Sequence, residues 1–187
     1  MIEIRIIDEK HRQDINIPNE PFSLYGRMIP SYVNEQWGYR VVYFDNDSIG
    51  EMCFPDENYD YYAMQDDHTF IGAYDGDKCI GLAILRDALL KYIYLHDLKI
   101  AKDYRRQGIA HALIEKAKEI CREKGYCGIY AYGQDNNLTA CKFYIKSGFY
   151  IGGFDSNAYK GTSQAGTADI TFYLDCQSSK VFGKGSY

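Results

Sequence analysis

Arg105, Arg106, Gln107, Gly108, Ile109 and Ala110 combine paired cations with small side chains where an amphipathic helix should begin. Successive backbone amides at a helix start form a cradle for an anion, and Gly108 and Ala110 leave those amides uncovered. Arg105 and Arg106 can add charge-assisted contacts to the same anion. The chemistry implied is the binding of a phosphorylated ligand. Gly108 could instead serve only the close packing of helix on strand, but that reading leaves the paired arginines unexplained.

The elements around this turn must hold it in place. Tyr92–Ile100 (YIYLHDLKI) is rich in β-branched, aromatic and leucine residues, as a buried strand is. After the turn, Ile109, Leu113, Ala117, Ile120 and Cys121 recur every three or four residues and predict a helix that Gly125 ends as its C′ residue. Upstream, Thr69–Tyr74 and Lys78–Leu85 flank Asp75-Gly76-Asp77, a hairpin signal. Downstream, Gly128–Tyr132 reads as a strand. A helix is expected over Asn136–Ser147, with Asp135 or Asn136 as N-cap and Gly148 as its stop, followed by strands at Phe149–Phe154 and Ile170–Leu174.

Nearer the start, Met1–Ile7 suggests a first strand, Asp8–Asp14 a short helix and Trp37–Phe44 another strand. Pro18, Pro21 and Pro30 forbid a long helix across Ile15–Pro30. This order of elements implies an α/β (α+β) fold, a mixed sheet with a parallel pair at its centre and helices on its faces. One domain is expected over 1–187, with a core of about 69–175, substrate-side elements in 1–68 and a flexible tail at 177–187.

Bulk properties narrow the partners. A chain of 187 residues, 46% hydrophobic and 25% charged, suits one soluble domain. No apolar run is long enough to span a bilayer and no secretory core opens the chain, so a cytoplasmic location without membrane association is expected. A net charge of −5 argues against nucleic acid. The six cysteines lack metal-ligand spacing, so neither a metal site nor a disulfide framework is expected. Charge is nevertheless concentrated. Asp45–Asp77 holds ten acidic residues and no Lys or Arg, so this segment carries −10 and the remainder +5. It reads either as a solvated loop or as a funnel for a cationic ligand, with Tyr59, Tyr61 and Tyr62 available for stacking.

Arg105-x-x-Gly108-x-Ala110 after Asp97-Leu98-Lys99-Ile100 resembles the acetyl-CoA signature of the GNAT acetyltransferases. Asn137-Leu-Thr-Ala-Cys-Lys-Phe-Tyr144, followed by Lys146-Ser147-Gly148-Phe149, resembles that family's later cofactor helix. Outside this core, INIPNEPFSLYGRMIPSY, NEQW and QDNNLTACKFYIKSGFYIGGFD look like the streptothricin acetyltransferases, which acetylate the β-lysyl amine of these antibiotics.

The resemblance implies a GNAT-type, mostly antiparallel sheet with a splayed parallel pair, and acetyl-CoA as co-substrate. The pyrophosphate would lie on the amides of Arg106–Ala110, with Arg105 beside them, and pantetheine would pair with the strand at Leu98, Lys99 and Ile100. The Leu98 amide would polarise the acyl carbonyl. Asn137 and Tyr144, seven residues apart, share a helix face. Asn137 would hold a pantetheine amide, and Tyr144 would protonate the departing thiolate. Cys141 reads as packing rather than as a nucleophile.

The amine must lose a proton before it attacks. Asp97 is favoured as the base, with His96 or water as alternatives, and strand alternation predicts that only one of Asp97 and His96 reaches the substrate. Asp66 and Asp67 are further candidates for contacts to the substrate. The partner expected is a cationic small-molecule amine, with a homodimer left open. Another acceptor (a polyamine, an aminoglycoside or a protein N-terminus) and an acetyl-CoA-binding module without turnover are the rival readings.

Overall fold

The computed structural model describes residues 1–176; the tail expected at 177–187 lies outside them. In chain order the strands are β1 (Ile2–Ile6), β2 (Phe22–Leu24), β3 (Gly26–Val33), β4 (Gln36–Tyr43), β5 (Gly50–Met52), β6 (His68–Asp75), β7 (Lys78–Arg86), β8 (Tyr92–Ile100), β9 (Gly128–Gln134), β10 (Tyr150–Asp155) and β11 (Asp169–Asp175). The helices are α1 (Tyr61–Met64), α2 (Ile109–Glu123) and α3 (Leu138–Lys146), with 3-10 turns at Glu9–Asn16, Asn46–Ser48 and Lys102–Tyr104. No helix among the described residues is long and apolar enough to cross a membrane.

The chain forms two compact units, one from Met1–Pro18 and Asp56–Tyr130 with Asp175 and Cys176, the other from Asn19–Pro55 and Ala131–Leu174. In the first, the strand order is β1-β6-β7-β8-β9. The β1–β6, β6–β7 and β7–β8 pairs are antiparallel and β8–β9 is parallel, so the sheet is mixed and mostly antiparallel as expected. The β6–β7 hairpin turns through Gly76, whose φ of +59° is the left-handed conformation that glycine adopts without strain.

Helix α2 packs on β6, β7 and β8. It buries Ile109, Leu113, Ile114, Ala117, Ile120 and Cys121, the predicted stripe with Ile114 added. Full burial of one such Leu or Ile contributes about 1.5–3 kcal/mol, so this stripe holds the helix start in place beneath the end of β8. Gly125, at φ +77°, follows the C-cap as predicted. The opposite sheet face carries Phe70, Leu82 and Ile84, covered by Ile7, Ile15, Tyr59, Tyr61 and Met64.

The second unit holds the β3–β4 hairpin, the β2–β5 pair, α3, and the order β9-β11-β10. Strand β3 has no counterpart in the sequence reading, which found only that Ile15–Pro30 could not be a long helix. Pro30 sits in β3 opposite Tyr39. The hairpin turns through Asn34 and Glu35, at φ 50° and 62°. Asn suits that conformation, whereas Glu hides the signal that Gly would have given.

Candidate active site

Strand β8 carries His96, Asp97 and Lys99. Its parallel register with β9 ends at Tyr94↔Tyr130, while β8 itself continues to Ile100. On its other edge the pairing runs Ile84↔Asp97 and then Leu85↔Leu95, so His96 is an extra residue, a β-bulge. The bulge overturns the expectation that His96 and Asp97 point to opposite faces. Both side chains meet Tyr59, whose hydroxyl lies 3.4 Å from Asp97 Oδ2 and whose ring lies edge-on to His96 at 5.7 Å. The physical reason is the inserted residue, which breaks the two-residue period on which alternation depends.

Asp97 and Lys99 are closely coupled. Lys99 Nζ lies 3.1 Å from Asp97 Oδ2 and donates to Glu57 Oε2 at 2.6 Å, with the Asp97 and Lys99 side chains 15% and 11% exposed. Burial pushes the Asp97 carboxyl above its ordinary range, against the pull of Lys99. Burial also acts to lower Lys99, but Asp97 and Glu57 outweigh it and hold the ammonium above its usual value. Tyr59 is raised by burial and by the same two carboxylates. The Lys99 side chain is therefore turned into this network.

His96 is half-buried and stacks on Tyr94 at 5.6 Å. Its Nδ1 lies 3.0 Å from His68 Nε2, and His68 Nδ1 lies 2.5 Å from Asp67 Oδ1. Burial, the largest effect, holds His96 below its ordinary value, and the guanidinium of Arg86 acts in the same direction. Asp67 also accepts from Arg86 Nε at 3.4 Å, and its partners hold it below the usual carboxylate range despite an opposing desolvation effect. Asp66 is exposed. The acidic segment is thus not uniform. Glu57 and Asp67 are drawn into ion pairs, whereas Asp45, Asp47, Glu51, Asp56, Asp60, Asp66, Asp75 and Asp77 remain exposed.

At the far end of β8, Arg105 Nε donates to the Ile100 carbonyl at 3.0 Å and ties the basic turn to the strand. Gln107 closes on the Asp103 carbonyl, Arg106 is exposed at φ +63°, and Gly108 is the N-cap of α2 at φ +83°. No side chain caps the helix at Gly108, and a Cβ built there meets no atom within 4 Å. Consecutive residues with left-handed members form a concavity of N–H groups, the donor set that a pyrophosphate needs. Ile109 anchors its side chain in the core and Ala110 is half-buried, so the amides are held by packing. The residues present fit an anionic ligand.

In the second unit, α3 starts one or two residues later than expected. The N-cap is Asn137, whose Oδ1 accepts from the Ala140 amide at 3.2 Å. Asp135 instead accepts from the Ala168 amide and lies 3.1 Å from Arg27 Nε, because β9 runs on to Gln134 and carries Asp135 into the interior. Tyr144 is 8% exposed, its ring against Phe143, Phe149 and Phe172 at 5.6, 5.2 and 5.0 Å. A Cβ on Gly133 would lie 3.5 Å from that ring and 3.0 Å from Phe172, so glycine lets β9 approach it. Cys141 is buried, bonds the Gln134 carbonyl through Sγ, and has its thiol pushed up to about 12 by burial, which suits packing.

Uncapped amides thus lie beyond a bulged strand whose parallel partner pairs with it only at its start. The chain belongs to the Acetyltransferase (GNAT) family, whose model matches residues 33–149, and is an acyltransferase. Among its relatives, streptothricin acetyltransferase A of Bacillus subtilis (strain 168) is 35% identical over 161 residues, 86% of this chain and 92% of that protein. The streptothricin acetyltransferase of Escherichia coli is 25% identical over 160 residues, 86% and 79% of the two chains. A crystal structure of a candidate streptothricin acetyltransferase from Bacillus anthracis str. Ames, in complex with acetyl coenzyme A, superposes with a TM-score of 0.83. It is 28% identical, and the match covers 94% of this chain and 99% of that one.

Sequence reasoning missed Glu57, Tyr59 and His68 as neighbours of β8. Glu57 lay inside the acidic segment without a motif to mark it, and Tyr59 was read there only as a ring available for stacking on a cation. His68 stands 28 residues from His96, and only the sheet brings the two together.

Proposed function

We propose that this protein transfers the acetyl group of acetyl-CoA to a primary amine of a cationic small molecule, with the β-lysyl amine of streptothricin as the first substrate and antibiotic resistance as the outcome. The observation that carries this reading is the 35% identity to the B. subtilis streptothricin acetyltransferase across 86% of the chain. The open helix start at Gly108 supports the choice of donor.

In this reading the amides of Arg106, Gln107, Gly108, Ile109 and Ala110 hold the pyrophosphate, while Arg105 fixes the turn to the strand. The backbone at Leu98, Lys99 and Ile100 pairs with pantetheine, and the Leu98 amide stabilises the charge that develops on the acyl oxygen. Asn137 keeps its carboxamide nitrogen for a pantetheine amide while its oxygen caps α3. Tyr144 gives its phenolic proton to the departing thiolate. Asp97 and His96 face the amine, and Asp66 and Asp67 add negative charge along its approach. The free thiols of all six cysteines fit a cytoplasmic setting, where acetyl-CoA is available.

Thiol release from acetyl-CoA, measured against streptothricin, spermidine, kanamycin and a peptide panel, tests the assignment. Rapid release with streptothricin alone is the expected result. Preference for another amine would displace the substrate, and acetyl-CoA binding without turnover on any amine would leave only a binding module.

A further inference from the structure

With His68 neutral, the imidazole of His96 has its tautomer dictated by its neighbours. His68 Nδ1 faces two oxygens, the Met64 carbonyl at 3.1 Å and Asp67 Oδ1 at 2.5 Å. A carbonyl and an ionised carboxylate only accept, so the proton of a neutral His68 sits on Nδ1 and leaves a lone pair on Nε2. That lone pair points at His96 Nδ1, 3.0 Å away, and requires the His96 proton to be on Nδ1. A neutral His96 then carries its own lone pair on Nε2.

The ring is held between the stacked Tyr94 and the edge of Tyr59, while the residue as a whole remains half-buried. Asp97, the other candidate on the bulge, already shares the ammonium of Lys99 and approaches the hydroxyl of Tyr59. Protonating Asp97 would break that pair, whereas protonating His96 Nε2 breaks none of the contacts that orient its ring.

We propose that Nε2 of His96 is the base that deprotonates the incoming amine, and that His68 and Asp67 are positioning residues that fix its tautomer. The assignment rests on the acetyl-transfer reading above. The substrate ammonium gives one proton to His96 Nε2 and becomes the nucleophile. As the C–N bond forms and the C–S bond breaks, the thiolate takes the Tyr144 proton. The nitrogen loses its second proton through solvent, which restores the Tyr144 phenol, and His96 releases its own. One amide, one CoA thiol and one proton result.

The groups facing His96 are His68 and Asp67 from the β6 side, Arg86 from β7, Tyr94 and Asp97 on β8, and Glu57 and Tyr59 before α1. Burial, aided by Arg86 and opposed by Glu57 and Asp67, keeps His96 below its ordinary value, so the neutral imidazole persists to lower pH. Activity should therefore persist further into acid than a free imidazole allows.

Two measurements on the full chain test the proposal. Long-range proton–nitrogen correlation NMR of the imidazole rings, assigned with His68→Gln and His96→Gln, should show both rings as Nδ1–H tautomers at neutral pH. A proton on His96 Nε2 would overturn the relay whatever the activity. Thiol release at saturating amine should fall about 10²–10⁴-fold in His96→Gln with acetyl-CoA affinity unchanged. His68→Gln and Asp67→Ala should lower kcat about tenfold or more and move the acid limb of its pH profile, with Asp67→Glu restoring most of the loss. An unmoved profile in both variants would reduce His68 and Asp67 to packing. Wild-type turnover matched by His96→Gln would sink the base alone, whereas no turnover on any amine would sink the acetyl-transfer reading and the base with it.

Discussion

Tyr144 is packed by three aromatic rings, so its ring is held in place by its neighbours. Removing only its hydroxyl, in Tyr144→Phe, should preserve the packing. The expected outcome is a fall in kcat of about 10²–10⁴-fold, as for loss of a general acid, with little change in the dissociation constant for acetyl-CoA. Equal losses in both, measured by steady-state kinetics and titration calorimetry, would make Tyr144 a structural residue. The Asn137 side-chain oxygen caps α3, and its amide nitrogen is proposed for pantetheine. The sequence showed this residue but placed the cap earlier, because local rules rank Asp, Asn and Ser alike as caps and do not see that Asp135 is claimed by Arg27 and Ala168.

Among the elements, those with strong periodicity were legible. Helix α2 could be read because its apolar stripe repeats, and the β6–β7 hairpin because Gly76 marks its turn. The β3–β4 hairpin was half hidden because Glu35 occupies a left-handed position at φ +62°. Glu35→Gly should remove that conformational cost and stabilise the protein by about 0.5–1 kcal/mol, since Gly enters this region at no steric penalty. A rise in the thermal unfolding midpoint is expected, and an unchanged or lower midpoint would show that Glu35 makes a compensating contact. The β8 bulge was not legible at all. It follows from the register that β7 imposes, and nothing in YIYLHDLKI announces an extra residue.

At the scale of the whole molecule, the net charge of −5 hides exposed carboxylates spread through Asp45–Asp77. If they steer a cationic acceptor, raising the ionic strength from low values to well above 0.15 M, where the Debye length is about 8 Å, should raise KM for the amine severalfold while kcat stays nearly constant. A salt-independent KM would leave the segment a solvated surface. Composition, helix periodicity and the Arg105–Ala110 turn were enough to suggest an α/β domain with a candidate anion cradle, and the resemblance of Arg105–Ala110 and Asn137–Tyr144 to the GNAT signature pointed to the acetyltransferases. These are local properties, written in residues that are neighbours along the chain. What only the tertiary structure decided is which distant groups surround His96 and Asp97: Glu57 sharing the Lys99 ammonium with Asp97, Tyr59 against both His96 and Asp97, and His68 with Asp67 behind the imidazole. Those contacts depend on strand register and on one inserted residue, and register is set by pairing across the sheet, which no stretch of a single strand encodes.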